Sequence, residues 1–436
     1  MANRATKSPV GVTIRTYHVG FGDCFLLSFR YGPNSERHVL IDFGSTGLPP
    51  GTPKDRMDAV ARDIAARCGG KLHGVVATHR HRDHISGFAT KKNGKGTGDT
   101  IRLLKPDVVV QPWTEDLDLA TTATGPKAVA SRSKRFGDGT ASRITALGVM
   151  HAIAGQTIAE SRRSRHFSKD LKAQLQFLGE DNLANKSAVE NLRTMGKNRY
   201  VYCGAKSGLE EVLPGVTVSV LGPPTVKQTD TIKKQRSRDP DEFWHFQAKA
   251  MDTGQAQGGK PILFPRHVKS RGPTFPIDSR WLIYHARSTR GEQLLQIVRM
   301  LDDQMNNTSV ILVFQVGRKS LLFPGDAQLE NWQYALGQKK FEKLLKGVNL
   351  YKVGHHGSLN ATPKSLWALF KNRSKQPSKT RLTSLMSTMK GKHGTESSNT
   401  EVPRRTLKSA LQAETDLFTT EDLKGGDFFH DTPLSF

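Results

Sequence analysis

The sequence predicts an α/β fold, because short strand-like runs alternate with segments of helical periodicity. Apolar runs that end near a glycine or an acid, such as residues 37–44 and 108–110, are typical of buried strands. Between them, residues 53–68 carry apolar side chains at helical spacing, and Gly69 and Gly70 follow the last of them. Strands that alternate with helices favour layers of helix against sheet.

The second half of the chain shows the same alternation in a different order. The elements expected there are a strand at residues 215–222, a hairpin at 309–314 and 320–323, a helix at 328–345, a strand at 349–353 and, in the polar tail, a helix at 404–413 and a strand at 417–419.

Two basic stretches interrupt this pattern, at residues 114–200 and about 225–290. We interpret them as insertions into one domain that spans residues 10–436. Helices are expected at residues 169–178 and 294–305. Basic side chains can bind phosphates, and the candidates for nucleic-acid contact are Arg132, Lys134, Arg135, Lys233, Lys234 and Arg236. A solvated loop is the alternative interpretation of the second stretch.

Charge is the strongest compositional signal in this chain of 436 residues. The formal net charge is +25 at pH 7, and the sequence pI is about 10.0. So basic a chain attracts polyanions, with nucleic acid as the first candidate and an anionic membrane surface as the second. A general solubility charge is the alternative explanation.

Three features bear on the compartment. Cys24, Cys68 and Cys203 are too few and too widely spaced for a disulfide framework, so we expect a reducing environment. The first nine residues have no apolar core and do not resemble a signal peptide. No run of about 18 apolar residues occurs, so no membrane span is expected. Together these features predict a soluble, cytoplasmic protein.

A candidate metal-binding loop occupies residues 78–84, whose sequence is Thr-His-Arg-His-Arg-Asp-His. It follows a short apolar run, so we expect a buried strand that ends in this loop. Imidazole nitrogens and carboxylate oxygens are ligands for zinc and similar divalent ions. In an extended segment, His79 and His81 point to the same side and can bind one ion. Asp83 and His84 lie beyond the strand end, where they can reach a second ion.

Three further strand ends carry metal-capable side chains beside a glycine. They are residues 41–44 with Asp42, residues 323–326 with Asp326, and residues 353–357 with His355 and His356. Either carboxylate alone is weak evidence, because aspartate beside glycine is common in turns. Together with residues 78–84, the four segments can supply the ligands of a two-metal site.

The order of these segments resembles the metallo-β-lactamase superfamily, most closely the branch that contains the metallohydrolase domain of the bacterial competence DNA-uptake channel. The resemblance covers roughly residues 10–113 and 213–436. The matching positions are the loop at residues 18–23 with Asp23, the acid Asp42, the cluster His79, His81, Asp83 and His84, the strand start with Asn306, Asn307 and Ser309, the acid Asp326, and the loop at 355–358. Two positions depart from the family pattern. His18 stands where the branch usually has aspartate, and Asn306-Asn307 stand where many members have a third histidine.

The resemblance implies a four-layer αβ/βα sandwich with the basic stretches as insertions. The implied ligands are His79 and His81 for one divalent ion, Asp83 and His84 for the other, Asp326 as a bridge, and either His355 or His356 to complete the second ion. The implied supporting residues are Asp23, Asp42 and Asn307. The expected ions are zinc or manganese, and the missing third histidine adds magnesium as an option.

Such a site would hydrolyse its substrate with a hydroxide that the two ions stabilise near neutral pH. Asp83 would orient this nucleophile, and whichever of His355 and His356 is not a ligand would stabilise developing charge or protonate the leaving group. The branch and the net charge favour a nuclease that cleaves phosphodiesters of DNA or RNA. The alternatives are a hydrolase of a small anionic molecule, such as a nucleotide or phosphoester, and a non-catalytic nucleic-acid-binding protein with a vestigial metal site. The sequence leaves the oligomeric state open.

Overall fold

The computed structural model describes residues 8–49, 51–116, 125–126, 161–163, 167–169, 171–172, 175, 186–229, 305–358, 362–394, 396, 401–423 and 426–436. In these ranges the chain forms two mixed sheets with helices packed against them, which confirms the predicted α/β class. The six basic residues proposed for nucleic-acid contact, and most of the helices expected at 169–178 and 294–305, lie outside the described residues.

The first half of the described chain contains β1 (Gly11–Tyr17), β2 (Cys24–Gly32), β3 (Ser35–Phe43), α1 (Arg56–Arg67), β4 (Gly74–Val76), α2 (Arg82–Ile85), α3 (Thr97–Leu103), β5 (Val108–Pro112), α4 (Lys186–Thr194), β6 (Lys197–Val201), α5 (Leu209–Val212) and β7 (Thr217–Gly222). The second half contains β8 (Ile311–Val316), β9 (Lys319–Phe323), α6 (Leu329–Leu336), α7 (Lys339–Lys346), β10 (Leu350–Lys352), α8 (Lys364–Leu369), β11 (Thr383–Met386), α9 (Arg405–Glu414), β12 (Asp416–Thr419) and β13 (Phe429–Ser435).

Each sheet combines antiparallel and parallel strands. The first sheet has the order β13-β1-β2-β3-β4-β5-β6, antiparallel from β13 to β3 and parallel from β3 to β6. The second sheet has the order β12-β11-β10-β9-β8-β7, parallel from β12 to β9 and antiparallel from β9 to β7. Strands β3 and β4 are therefore central in the first sheet, and β9 and β10 are central in the second.

The two sheets pack against each other through apolar side chains that alternate along their strands. Phe25 and Phe323 pack edge to face with ring centroids 5.9 Å apart, and Phe29 and Phe314 lie 6.0 Å apart. The outer face of the first sheet is covered by α1, α3 and α4, and that of the second by α6, α7, α8 and α9. The central strands are therefore covered on both faces.

The structure differs from the sequence prediction at several elements, of which three bear on the sheets and their helical cover. The helix expected at 328–345 is two helices, because Gly337 ends α6 and the next residue is extended. Within the stretch 114–200, α4 and β6 belong to the first sheet and its helical cover, so the interruption ends before residue 186. The tail adds β11 and β13, which the sequence prediction does not include.

Nothing helical in the described part of the chain combines the length and the apolarity that a bilayer crossing demands.

Candidate metal centre

The candidate metal centre lies where β3, β4, β9 and β10 end. Ligand sites of α/β sheets form outside the carboxyl ends of such parallel strands. Hydrogen bonds from backbone N–H groups tie the strand ends and the loops after them together. The N–H of Val310 donates to the carbonyl of Thr78 at 2.9 Å, and the N–H of His355 donates to Asp326 Oδ1 at 3.1 Å. Four segments distant in sequence thus meet in one place.

Two glycines allow these segments to approach one another. A Cβ on Gly44 would lie 2.4 Å from backbone atoms of Asp83 and His84. Gly325 has a φ of 55°, in the left-handed region, and a Cβ there would lie 2.7 Å from the Cβ of Thr78. Glycine is therefore required at both strand ends because the histidine loop packs directly against them.

The first group of metal-capable side chains consists of His79, His81 and Asp83. Their ligand atoms all lie within 4.8 Å of one another, and all three residues are buried. His79 Nε2 lies 2.9 Å from His81 Nδ1, so two ring nitrogens converge on one point. The chain turns into α2 directly after His81, which brings Asp83 beside the same point.

The second group consists of Asp83, His84, Asp326 and His356, all buried and also within 4.8 Å of one another. His84 Nε2 lies 3.0 Å from Asp326 Oδ2, and His356 Nε2 lies 2.9 Å from Asp83 Oδ2. A further distance, from His356 Nε2 to Asp326 Oδ2, is 3.6 Å. Asp83 belongs to both groups, so the carboxylate shared by the groups is Asp83, whereas the resemblance assigns the bridge to Asp326.

Strained backbone at three of these positions sets the directions of the side chains. Asp42, His355 and His356 have φ values of 55°, 42° and 51°, in the left-handed region that non-glycine residues seldom occupy. Such strain persists only where the surrounding structure enforces it, and it clusters at functional sites. Here it turns the chain sharply at the end of β3 and after β10, so that the second of two adjacent histidines faces inward.

Hydrogen bonds fix both imidazoles of the second group. His84 Nδ1 lies 2.8 Å from Asp42 Oδ2, and the other oxygen of Asp42 accepts the N–H of Thr78 at 2.7 Å. His356 Nδ1 lies 3.1 Å from the carbonyl oxygen of Ser387, which can only accept. Nδ1 therefore donates in both rings, and Nε2 is left facing the group. An orienting acceptor behind a ligating histidine is the usual support of a metal site.

The histidines and carboxylates of the second group shift one another's pKa values. Burial lowers the pKa of His84, but Asp326, Asp83 and Asp42 outweigh it and raise that pKa well above its ordinary value. His356 behaves in the same way, since burial is outweighed by Asp326, Asp23 and Asp83. Burial raises the pKa of Asp326, but the nearby His84 and His356 hold it well below its usual range. The imidazole protons compensate the carboxylates, and a divalent ion would have to displace those protons.

His79 in the first group differs from His84 and His356 in its protonation state. Burial, reinforced by the charges of His84 and His81, holds the pKa of His79 well below its ordinary value. His79 is therefore already neutral near pH 7, as an ion ligand must be.

Lys352 is a functional candidate that sequence reasoning missed. It is the last residue of β10, it is 2% exposed, and its ammonium forms an ion pair with Asp23. Burial lowers its pKa, but Asp23 and Asp326 reverse this and hold the pKa above its ordinary value. A lysine inside a short, otherwise apolar strand is the only sequence signal that could have pointed to it.

The remaining sequence candidates take different positions. His355 lies outside both groups, with its side chain 26% exposed and its Nε2 4.0 Å from Asp326 Oδ2. The structure therefore places His356, and not His355, among the potential ligands. Asn307 is buried and donates to Glu330 Oε2 at 2.9 Å, and it belongs to neither group. Asp23 and Asp42 lie near His84 and form with it a third group of metal-capable side chains.

A cavity of about 290 Å³ lies near the centre and is lined by Lys390, His393, Arg405 and Lys408, among others. The ring of Phe21 contacts both the cavity wall and the second group. Its centroid lies 4.3 Å from that of His393 and 4.3 Å from that of His356. Burial lowers the pKa of His393 to about 4, so its ring is neutral near pH 7.

The donor set fits divalent ions of the zinc or manganese type. Its nitrogen and oxygen atoms converge, and Asp83 Oδ1 is buried without a hydrogen bond. Such an atom is costly unless a cation or another partner compensates it. The sequence matches no protein-family model and no curated protein, so any assignment of function rests on the geometry of this centre.

Proposed function

We propose that this protein is a metal-dependent hydrolase with the four-layer αβ/βα arrangement of the metallo-β-lactamase superfamily. The observation that carries the proposal is the convergence of six buried, metal-capable side chains into two groups that share Asp83. The six are His79, His81, Asp83, His84, Asp326 and His356. The face-to-face sheets with helices on their outer faces support the proposed layering.

Two divalent ions, zinc or manganese with magnesium as an option, would occupy these groups. His79, His81 and Asp83 would hold one, and Asp83, His84, Asp326 and His356 the other. When bound, the ions supply Lewis acidity and lower the pKa of water. Every other contribution comes from the chain itself.

Asp83 has the position of a residue that orients a water and accepts its proton. Its Oδ1 makes no hydrogen bond, while its Oδ2 lies 2.9 Å from His356 Nε2. His355 is the partly exposed histidine at the rim, so its imidazole is placed to contact the substrate and donate to the leaving oxygen. The two adjacent histidines would thus have different roles. His356 would be a metal ligand, and His355 would contact the substrate.

The favoured substrate is a phosphodiester of DNA or RNA. The net charge of +25 would concentrate a polyanion at the protein surface. Binding that depends on several phosphate contacts falls by about 10³-fold or more between 50 and 200 mM salt. A steep salt dependence therefore distinguishes a nucleic-acid substrate from a small one.

The cavity beside Phe21 favours a second candidate, a hydrolase of a small phosphoester or nucleotide. Its volume of about 290 Å³ lies at the lower end of the range for small-molecule sites. Lys390, Arg405 and Lys408 on its wall are matched by Glu396, Glu401 and Glu421, so the size of the cavity, and not its charge, supports this candidate.

The test is incubation of the purified protein with single-stranded DNA, double-stranded DNA, RNA and a small phosphodiester, each with zinc, manganese or magnesium. We expect metal-dependent cleavage of at least one nucleic acid. Asp326→Ala removes a carboxylate of the second group and should reduce cleavage by more than about 10³-fold, on the order of 4 kcal/mol of lost barrier lowering. Lys371→Met, a substitution at an exposed lysine, is the matched control and should retain full activity.

Cleavage of the small phosphodiester alone would favour the second candidate. Undiminished cleavage by Asp326→Ala would contradict the two-metal hydrolase, since no carboxylate from β9 would then be needed. Absence of hydrolysis with every substrate and metal, combined with tight nucleic-acid binding, would favour a binding protein with a vestigial site.

A further inference from the structure

Lys352 places a positive charge in the interior between the two sheets. Its strand pairs with β9 on one side and β11 on the other, and its ammonium lies 6.0 Å from the centroid of the Phe25 ring in the core between the sheets. Solvent cannot reach it. A buried ammonium destabilises a fold unless acidic partners and hydrogen bonds compensate it.

Three oxygen groups surround this ammonium. It pairs with Asp23, lies 3.6 Å from Asp326 Oδ1, and donates to the carbonyl of Gly325 at 3.3 Å. Asp23 is fully buried at the start of β2, and its N–H donates to the carbonyl of Asp83 at 2.9 Å. Lys352 thereby links the loop before β2, the end of β9 and the histidine loop.

The third group of metal-capable side chains, Asp23, Asp42 and His84, meets the same 4.8 Å criterion as the other two. One of its carboxylates, Asp23, is paired more closely with a cation of the protein than any carboxylate of the other two groups. The ammonium of Lys352 forms an ion pair with Asp23.

We propose that Lys352 is the built-in counter-ion of the centre, a positioning residue that takes the place of a further ion at Asp23 and holds Asp326 ready for the second group. The geometry at Asp326 shows how. Lys352 faces Oδ1, while Oδ2 lies 3.0 Å from His84 Nε2 and 3.6 Å from His356 Nε2. The carboxylate is thus held with one oxygen on the lysine and the other toward the ligands.

The consequence is a centre that keeps its shape before divalent ions bind. Without Lys352, Asp23 and Asp326 would be buried acids with one fewer compensating charge. Removal of one partner from a buried ion pair is strongly destabilising, whereas removal of both charges is often tolerated. The inference deepens the proposed function, and it can be tested without any substrate.

The test is thermal unfolding of the full chain in EDTA and in excess Mn²⁺. Lys352→Met removes the charge and keeps an unbranched side chain that is one atom shorter. We expect a melting temperature in EDTA about 10 °C below that of the unaltered protein. The double variant Asp23→Asn with Lys352→Met restores the charge balance and should recover most of this loss. Lys371→Met is the control for removal of an exposed lysine and should melt as the unaltered protein does.

The rise in melting temperature on addition of Mn²⁺ distinguishes a role of the Lys352 charge from a role of its side chain in filling space. Mn²⁺ should raise the melting temperature of Lys352→Met more than that of the unaltered protein, because the ion replaces missing positive charge. Equal melting of Lys352→Met and the control in EDTA would overturn the inference, as would a double variant no more stable than Lys352→Met.

If Lys352→Met does not fold, recovery of folding by the double variant supports the inference and continued failure overturns it. If Mn²⁺ leaves the unaltered protein unchanged, manganese is excluded as the ion of the proposed function, while the comparison in EDTA still decides the role of Lys352.

Discussion

The two ligand groups of the centre differ in how firmly the protein holds them. The first group comes from five consecutive residues, and its best-defined support is Thr78 Oγ1, 3.2 Å from His79 Nδ1. The second group draws on three segments, and obligate or charged acceptors fix both of its imidazoles, at 2.8 Å for His84 and 3.1 Å for His356. The hydroxyl of Thr78 donates its hydrogen to Asp42 at 2.7 Å, so toward His79 it can only accept, and this 3.2 Å hydrogen bond is longer than the two behind the second group. We therefore expect the second group to bind its ion more tightly.

The largest expected effect separates the two adjacent histidines. His356→Ala removes a ligand from the second group and should weaken the tighter Mn²⁺ site by more than about 100-fold, since even loss of a residue behind a ligand costs 10–100-fold. His355→Ala, the matched control one position away, should change that affinity by less than about threefold. Titration calorimetry measures both.

The same titration tests the contrast between the groups through His81→Ala. This variant should lose the weaker ion and keep the tighter one, so the stoichiometry falls from two to one. A His81→Ala protein that loses both ions, or a His356→Ala protein that keeps the tighter one, would show that the groups do not bind independently in this order.

The next effect concerns the support behind the ligand. Asp42→Asn keeps the shape of the side chain but replaces one oxygen with an N–H group. It cannot satisfy both His84 Nδ1 and the two donors of Thr78, at 2.7 Å each. Affinity of the second group should fall about 10–100-fold, with little change in the first. Asp416→Asn, at a largely exposed carboxylate paired with Arg381, is the control.

Local sequence made one half of the centre predictable. His79, His81, Asp83 and His84 lie in one loop after a short strand, so their spacing alone indicates a metal site. Asp42 and Asp326 could be selected only because each ends an apolar run beside a glycine. The structure supplies the reason for those glycines, since the histidine loop packs within 3 Å of where their side chains would begin.

Other features depended on contacts that sequence spacing does not encode. The choice between His355 and His356 is set by left-handed backbone at both residues, so that only the second faces inward. Lys352 is explained by Asp23, more than three hundred positions away, and a lysine in a strand ordinarily suggests an exposed edge. β13 includes Pro433 and mostly polar residues, and it forms a strand because it lies at the edge of the first sheet.

The effect that discriminates the groups without any substitution is the pH dependence of ion binding. The raised pKa values of His84 and His356 mean that both rings hold protons near pH 7, and an ion entering the second group must displace them. Asp326 has a lowered pKa and stays ionised, so it contributes no slope. Affinity of the second group should therefore rise with pH, about tenfold per pH unit for each displaced proton. His79 has a lowered pKa and is already neutral, so the first group should show a shallower slope.

Calorimetry from pH 6 to 8, in buffers of different ionisation enthalpy, counts the protons released at each step. Equal slopes for the two ions would mean that the second group does not hold the protons that its carboxylates are placed to retain.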